Sequence, residues 1–474
     1  MGITNQSVAD NVDLKKAKEV GAYYMAVQSG QKSLNSDDLN LVYQIPNAQM
    51  NIPAIYFFNT VNGGFVMVAG TDCMDPIIGY STEGTFDPNN IPPSMMAFLN
   101  GYVQSIVYSQ NNNLTPSADI QKTWDELVER RLPEAKDGEK TIYGTMSSTW
   151  DQSYPYNTLS PYINGTQSPT GCVATALAQI IHYWEYPHVG NGYTAYEIST
   201  GEMLHANFGE TYYDYSLMPD TLKPTSSAAE IYATSLLNFH VGVAVNMGFG
   251  EEGSSAQSSD CVKALKKYFK YDASQIRTID RTKEFFLNNS NTPNAKDTLW
   301  VDTCVQEIKA HRPIYYSARD LSSSGTHAGH AFVMERYNSG NGKVWFNWGW
   351  GGYSDCWCNL YTSKLNAGGY NFTDSHYAII GITPPADSLV AISHVEVAAD
   401  APAYPNPANT IITIPYTLNG ANSATMQVYN MEGKLVDQRV LSPEGRNIRI
   451  DVTNYPKGVY VYRYNGKAQR FVVQ

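Results

Sequence analysis

The chain is poor in charge and has no basic excess. Charged residues make up 16% of its 474 positions, and 32 Lys and Arg stand against 44 Asp and Glu, a net charge of −12. A nucleic-acid groove needs a concentrated basic face, so the composition argues against that class of partner. No stretch approaches the roughly 18 uninterrupted apolar residues of a spanning helix. The six cysteines (Cys73, Cys172, Cys261, Cys304, Cys356 and Cys358) are too few for a disulfide framework at this length. Cys356-Trp357-Cys358 has one residue between its thiols, where zinc sites use about two to four, and no His pair completes it. The opening Met1-Gly2-Ile3-Thr4-Asn5-Gln6 lacks an apolar signal core, so the chain is either cytosolic or has lost a signal peptide.

What is present fits a globular protein of two or three domains. Hydrophobic residues are 43% of the chain, which excludes disordered and collagen-like classes. Tyrosine outnumbers phenylalanine 35 to 15, implying many half-exposed rings of the kind common in extracellular proteins. Residues 1–138 mix helical and strand patterns and end in a charged stretch, Trp124 to Arg131 followed by Pro133, Lys136 and Lys140. Exposed charged connectors are preferred sites of proteolytic nicking. Residues 139–385 hold most of the Trp and Gly and form the main domain. Residues 386–403 are small, Pro-bearing and weakly apolar, a linker. Residues 404–474 alternate with period two at Ile412/Ile414/Tyr416, Met426/Val428, Ile448/Ile450/Val452 and Val459/Val461, which predicts a small β-sandwich. Eight basic and four acidic residues in that tail set it apart from the acidic remainder.

Chemistry enters at Pro169-Thr170-Gly171-Cys172-Val173-Ala174-Thr175-Ala176. Val173, Leu177, Ile180, Ile181 and Trp184 form one apolar helical stripe, and Pro187 stops the run. Cys172 therefore falls in the first turn, where free N–H groups and the helix dipole favour a thiolate. A nucleophilic cysteine needs a base. His182 is ten residues along the same helix, about 15 Å away by rise, and points off the stripe, so it reads as a surface residue. The better base is in Gly325-Thr326-His327-Ala328-Gly329-His330-Ala331-Phe332-Val333, which with Lys343 to Asn347 makes a hairpin about an Asn/Gly turn. His327 and His330 would face opposite sides of a continuous strand. His330 is preferred because Gly329 and Ala331 leave room for a substrate chain. Asn347 could accept from its imidazole and Trp348 could shield that bond.

Together, Thr170 to Ala176, Gly329 to Val333 and Asn347-Trp348-Gly349-Trp350-Gly351-Gly352 resemble the streptopain family of papain-like cysteine peptidases. The resemblance implies an α+β fold: a papain-like catalytic domain over residues 139–385 preceded by an α+β inhibitory prodomain over 1–138. It implies a secreted zymogen whose signal peptide has been removed, with Cys172 as nucleophile and His330 as general base and acid. Asn347 and Trp348 would orient and shield His330, and Gln167 would join the Cys172 N–H in the oxyanion hole. Ser255, in a loop (Gly253 to Ser259) like the family's substrate-pocket loop, and Gly329 would contact substrate backbone. Tyr404-Pro405-Asn406-Pro407, Val428 to Val436 and Pro456 to Tyr460 resemble the C-terminal sorting domain of type IX secretion, which implies outer-membrane secretion machinery as a partner. Protein and peptide substrates follow, with no cofactor and no metal. The rival expectations are a catalytically silent surface adhesin on the same fold, and an amidase or transferase using the same residues.

Overall fold

The computed structural model describes residues 10–31, 34–47, 52–131, 141–144, 146–281, 293–319, 329–360, 376–389, 403, 405–416, 424–431, 433–441, 447–464 and 467–474. It divides into two compact units, Met1–Pro385 and Ala386–Gln474.

The first unit begins with α1 (Leu14–Ser29), started by an Asp13 side chain that accepts from the Lys16 N–H. Four antiparallel strands follow: β1 (Leu39–Pro46), β2 (Pro53–Thr60), β3 (Phe65–Ala69) and β4 (Ile77–Ser81). Ala54–Phe58 and Phe65–Ala69 are buried without alternation, the mark of strands covered on both faces. Next come α2 (Pro93–Asn111) and α3 (Ala118–Val128). The charged stretch expected to be a connector starts inside α3. Ile120, Trp124 and Leu127 share a buried helical face, and the Trp124 Nε1–H donates to the Met74 carbonyl. Asp125, Val128, Glu129, Arg130 and Arg131 are exposed there, and residues 132–140 lie outside the described residues.

Beyond the connector the elements are β5 (Ile142–Tyr143), α4 (Cys172–Trp184), α5 (Ala228–Ala244), α6 (Ser258–Lys267), β6 (Arg277–Asp280) and α7 (Pro293–Lys309). Then come β7 (Ile314–Arg319), β8 (Gly329–Asn338), β9 (Lys343–Asn347), β10 (Cys356–Cys358) and β11 (Tyr377–Ile380). The β8–β9 hairpin turns at the Asn/Gly segment, as the sequence predicts. The strands on both sides of the connector belong to one eleven-stranded sheet, ordered β1-β2-β3-β4-β10-β9-β8-β7-β11-β6 with β5 beside β8. The joint is the antiparallel pairing of Trp357 with Tyr80 and of Cys358 with Gly79. Gly79 is required there: a Cβ would lie 2.3 Å from Met67 Cε and 2.8 Å from the Trp357 carbonyl.

Strand β8 separates two cores. Ala331 and Val333 face α4, α5 and α6, packing with Ala174, Leu177 and Ile181. Phe332 and Met334 face the other way, into a core shared with Phe98 and Tyr102 of α2.

The second unit is the β-sandwich the alternation predicts. A four-stranded sheet joins β14 (Leu435–Leu441), β13 (Ala424–Asn430), β16 (Gly458–Tyr464) and β17 (Lys467–Val473) in that order, and β12 (Ile411–Pro415) pairs with β15 (Asn447–Asp451). Ile412, Ile414, Met426, Val428, Ile450 and Val452 fill its core. In β16 the phase is opposite to expectation. Tyr460, Tyr462 and Tyr464 are buried, whereas Val459 and Val461 are half-exposed. A tyrosine ring can enter the core while its hydroxyl finds a partner; those of Tyr460 and Tyr462 donate to the Pro456 carbonyl and to Gln469 Oε1.

Candidate active site

Cys172 is the first residue of α4, directly after Gly171 at φ 88, a left-handed conformation suited to glycine. A side chain on Gly171 would also meet the Ser254 carbonyl at 2.8 Å. The chain is thereby turned so that the thiol opens into a pocket of about 480 Å³, bordered also by His330, Gly329, Gln152, Gln167 and Ser255. His330 opens β8 and is half-buried. Cys172 and His330, far apart in the chain, thus border one pocket. His327 lies outside the described residues.

The helix terminus does not win at the sulfur. Burial pushes the Cys172 thiol above its ordinary range, and the N–H groups of Ala331, Val173 and Cys172 itself pull the other way without reversing it. The expectation of a favoured thiolate considered only the helix. Pro93 and Ser94, at the start of α2, form part of the pocket wall. The Ser94 hydroxyl donates to the Trp348 carbonyl at 2.9 Å, and Trp350 Nε1–H donates to Asn90 Oδ1 at 3.0 Å. The leading region therefore grips the tryptophan turn from within the pocket.

Asn347 is employed otherwise than expected. In register it faces Val333, three residues past His330. Its Nδ2 donates to the Ser148 carbonyl at 2.6 Å and to Gln179 Oε1 at 3.0 Å. Its Oδ1 accepts from the Gly349 N–H at 3.0 Å and from Gln179 Nε2 at 3.2 Å. All the bonding capacity of this amide is filled, so Asn347 ties β9 to α4 and the orienting bond to His330 is not part of this arrangement. Trp348 is fully buried, its ring centroid 4.9 Å from that of Phe332 and 5.1 Å from that of Phe346. The tryptophan that borders the pocket with His330 is Trp350.

Gln167 borders the pocket, but its Nε2 donates to the Thr158 and Ser160 carbonyls at 2.8 and 3.4 Å. Gln152, absent from the sequence reading, is better placed. Its backbone carbonyl accepts from Thr170, two residues before Cys172, and its Nε2 makes a single long contact of 3.4 Å to the Gly349 carbonyl. Counting back a fixed short interval from the cysteine misses it, because the intervening hairpin (Tyr162–Ile163 with Thr166–Gln167) loops away and returns. Ser255 and Gly329 border the pocket; Ser255 exchanges both backbone bonds with Gly248. His182 is half-buried, accepting from or donating to nothing in the pocket. Its Nε2 contacts the Met218 carbonyl at 2.8 Å, its ring packs on Trp150, and burial lowers its pKa.

Comparison with known proteins fits this geometry. Residues 150–358 match the peptidase C10 family, residues 9–106 the Spi protease inhibitor family, and residues 402–474 the secretion system C-terminal sorting domain. Streptopain of Streptococcus pyogenes is 30% identical over 405 residues, covering 78% of this chain and 91% of that protein. The chain belongs to the streptopain family of cysteine peptidases. The thiol protease/hemagglutinin PrtT of Porphyromonas gingivalis is 31% identical over 398 residues, which are 81% of this chain and 43% of that longer protein. A prointerpain A fragment from Prevotella intermedia superposes with a TM-score of 0.57 at 27% identity, over 73% of this chain and 99% of the fragment. This streptopain-family chain is thus a thiol peptidase preceded by an inhibitory region. Its sorting tail marks it as a type IX secreted or cell-surface protein.

Proposed function

We propose that the chain is a cysteine endopeptidase held as a zymogen, with residues 1–138 as prodomain, 139–385 as catalytic domain, 386–403 as linker and 404–474 as sorting domain. The observation that carries the reading is the pocket bordered by Cys172 and His330 and walled on one side by Pro93 and Ser94. In the reaction His330 takes the proton of the Cys172 thiol, and the resulting thiolate attacks a peptide carbonyl, forming a C–S bond. The oxyanion receives hydrogen bonds from the Cys172 N–H and from Gln152 Nε2. His330 protonates the departing amine as the C–N bond breaks, then takes a proton from water as it hydrolyses the thioester. Ser255 and Gly329 hold the substrate backbone, while Asn347 and Trp348 fix the turn beside them. Protein substrates outside the cell and the outer-membrane secretion machinery are the partners this reading implies.

Cys172→Ala is the test. Hydrolysis of peptides and cleavage of the chain's own connector should both fall by at least about 10³-fold, with the unfolding midpoint unchanged. A wild-type chain that a thiol-reactive peptide epoxide fails to label at Cys172 would point instead to a silent adhesin.

A further inference from the structure

The pocket carries a charge that the reaction does not use. Among the described residues, the ionisable groups on its wall besides Cys172 and His330 are Glu251 and Glu252, with no Lys or Arg. Both glutamates are exposed, and among the described residues neither has an ion-pair partner. Glu251 Oε2 accepts one hydrogen bond from Asn164 Nδ2 at 3.3 Å. The prodomain's own contribution to the wall, Pro93 and Ser94, brings no cation to them.

The loop that carries the glutamates is also held in place. They sit at the tip of a loop closed by two backbone bonds between Gly248 and Ser255, of 2.8 and 3.1 Å. The Ser254 hydroxyl donates to the Pro169 carbonyl at 2.6 Å, fastening the loop to the segment that leads into Cys172. A pair of carboxylates on an anchored loop at a concave site concentrates the field there and selects for positive charge. The chain itself contains such a substrate. Its connector carries Arg130, Arg131, Lys136 and Lys140 within eleven residues.

We infer that Glu251 and Glu252 are specificity-determining residues that select peptides with Arg or Lys near the scissile bond, the chain's own connector first among them. This rests on the peptidase reading above. It departs from a pocket chosen by apolar fit alone.

The test uses full chain that has been allowed to process itself, acting on a synthetic peptide of residues 126–144 and on the same peptide with its four basic residues changed to Gln. The basic peptide should be cleaved with a kcat/KM about five- to twentyfold higher, the range expected of two solvent-facing carboxylates. The advantage should shrink to less than twofold in E251Q/E252Q and in 0.5 M salt, roughly where screening shortens to a few ångströms. E252Q alone, which touches no recorded hydrogen bond, serves if the double variant does not fold and should lose part of the preference. Equal cleavage of the two peptides by wild type, or a preference that survives in the variants, would overturn the inference while leaving the peptidase intact. Absence of all hydrolysis together with absence of epoxide labelling at Cys172 would instead overturn the peptidase reading, and this inference with it.

Discussion

The two sides of β8 are packed by different means. Toward α4 the contacts are small and aliphatic: Ala331 and Val333 meet Ala174, Leu177 and Ile181. Small side chains let helix and strand approach closely, which brings the Cys172 sulfur to the Ala331 N–H. Toward α2 the contacts are aromatic: the Phe98 ring centroid lies 6.3 Å from that of Phe332 and, on neighbouring β9, 4.7 Å from that of Phe346. Such pairs add about 0.5–1.5 kcal/mol each beyond their buried area. The aliphatic side builds the catalytic residue into its place. The aromatic side attaches a region that the proposed maturation removes.

Paired truncations would break or sharpen that contrast. Phe98→Ala should cost the full chain about 3–5 kcal/mol in denaturant unfolding and leave the processed form unchanged. Leu177→Ala should cost about 2–5 kcal/mol in both forms. An equal loss from Phe98→Ala in the processed form would show that the cut segment stays bound.

Acidity offers a second contrast. Burial pushes Glu335 up to about 8 and Asp355 up to about 7, and Asp355 accepts from the Trp348 N–H at 2.9 Å. Unfolded carboxyls titrate near about 4, so the folded state binds more protons between those limits. Stability should therefore fall as pH rises from about 4 toward 8. Glu335→Gln should flatten the curve of unfolding midpoint against pH; an unchanged slope would remove Glu335 as its source.

Asn347→Ala should cost about 1–3 kcal/mol by stranding the Ser148 carbonyl and the Gln179 amide, with the pH–rate profile unmoved. A shifted limb of that profile would restore an orienting role toward His330. The smallest effect is expected from Ser94→Ala, which removes one hydrogen bond worth about 1 kcal/mol. Self-processing should speed up about fivefold, and a slower rate would mean that Ser94 assists cleavage.

Local signals in the sequence carried far. The stripe from Val173 to Ile181 announced α4 with Cys172 at its head, and the Asn/Gly turn announced the β8–β9 hairpin, because both patterns are set within a few residues. The site's remaining features depend on contacts that no local pattern encodes. Asn347 is claimed by Gln179 across 168 positions, so proximity to His330 in a drawn hairpin was a poor guide. Gln152 reaches the pocket only because an intervening hairpin folds out of the way. In β16, Val459 and Tyr460 are both good strand residues, and alternation alone could not say which set faces inward. The sulfur's raised pKa comes from burial in the folded protein, which the position of Cys172 at a helix start does not reveal.

The continuity of the sheet through Tyr80 and Trp357 has one more consequence. While the leading strands are attached, β10 is an interior strand with a neighbour on each side. Their departure turns Cys356-Trp357-Cys358 into an edge, with backbone donors and acceptors that another extended chain can pair with. In the proposed zymogen the leading strands therefore also cap the edge of the catalytic sheet. Maturation trades a capped sheet for an open one, and is best completed where the protein is dilute.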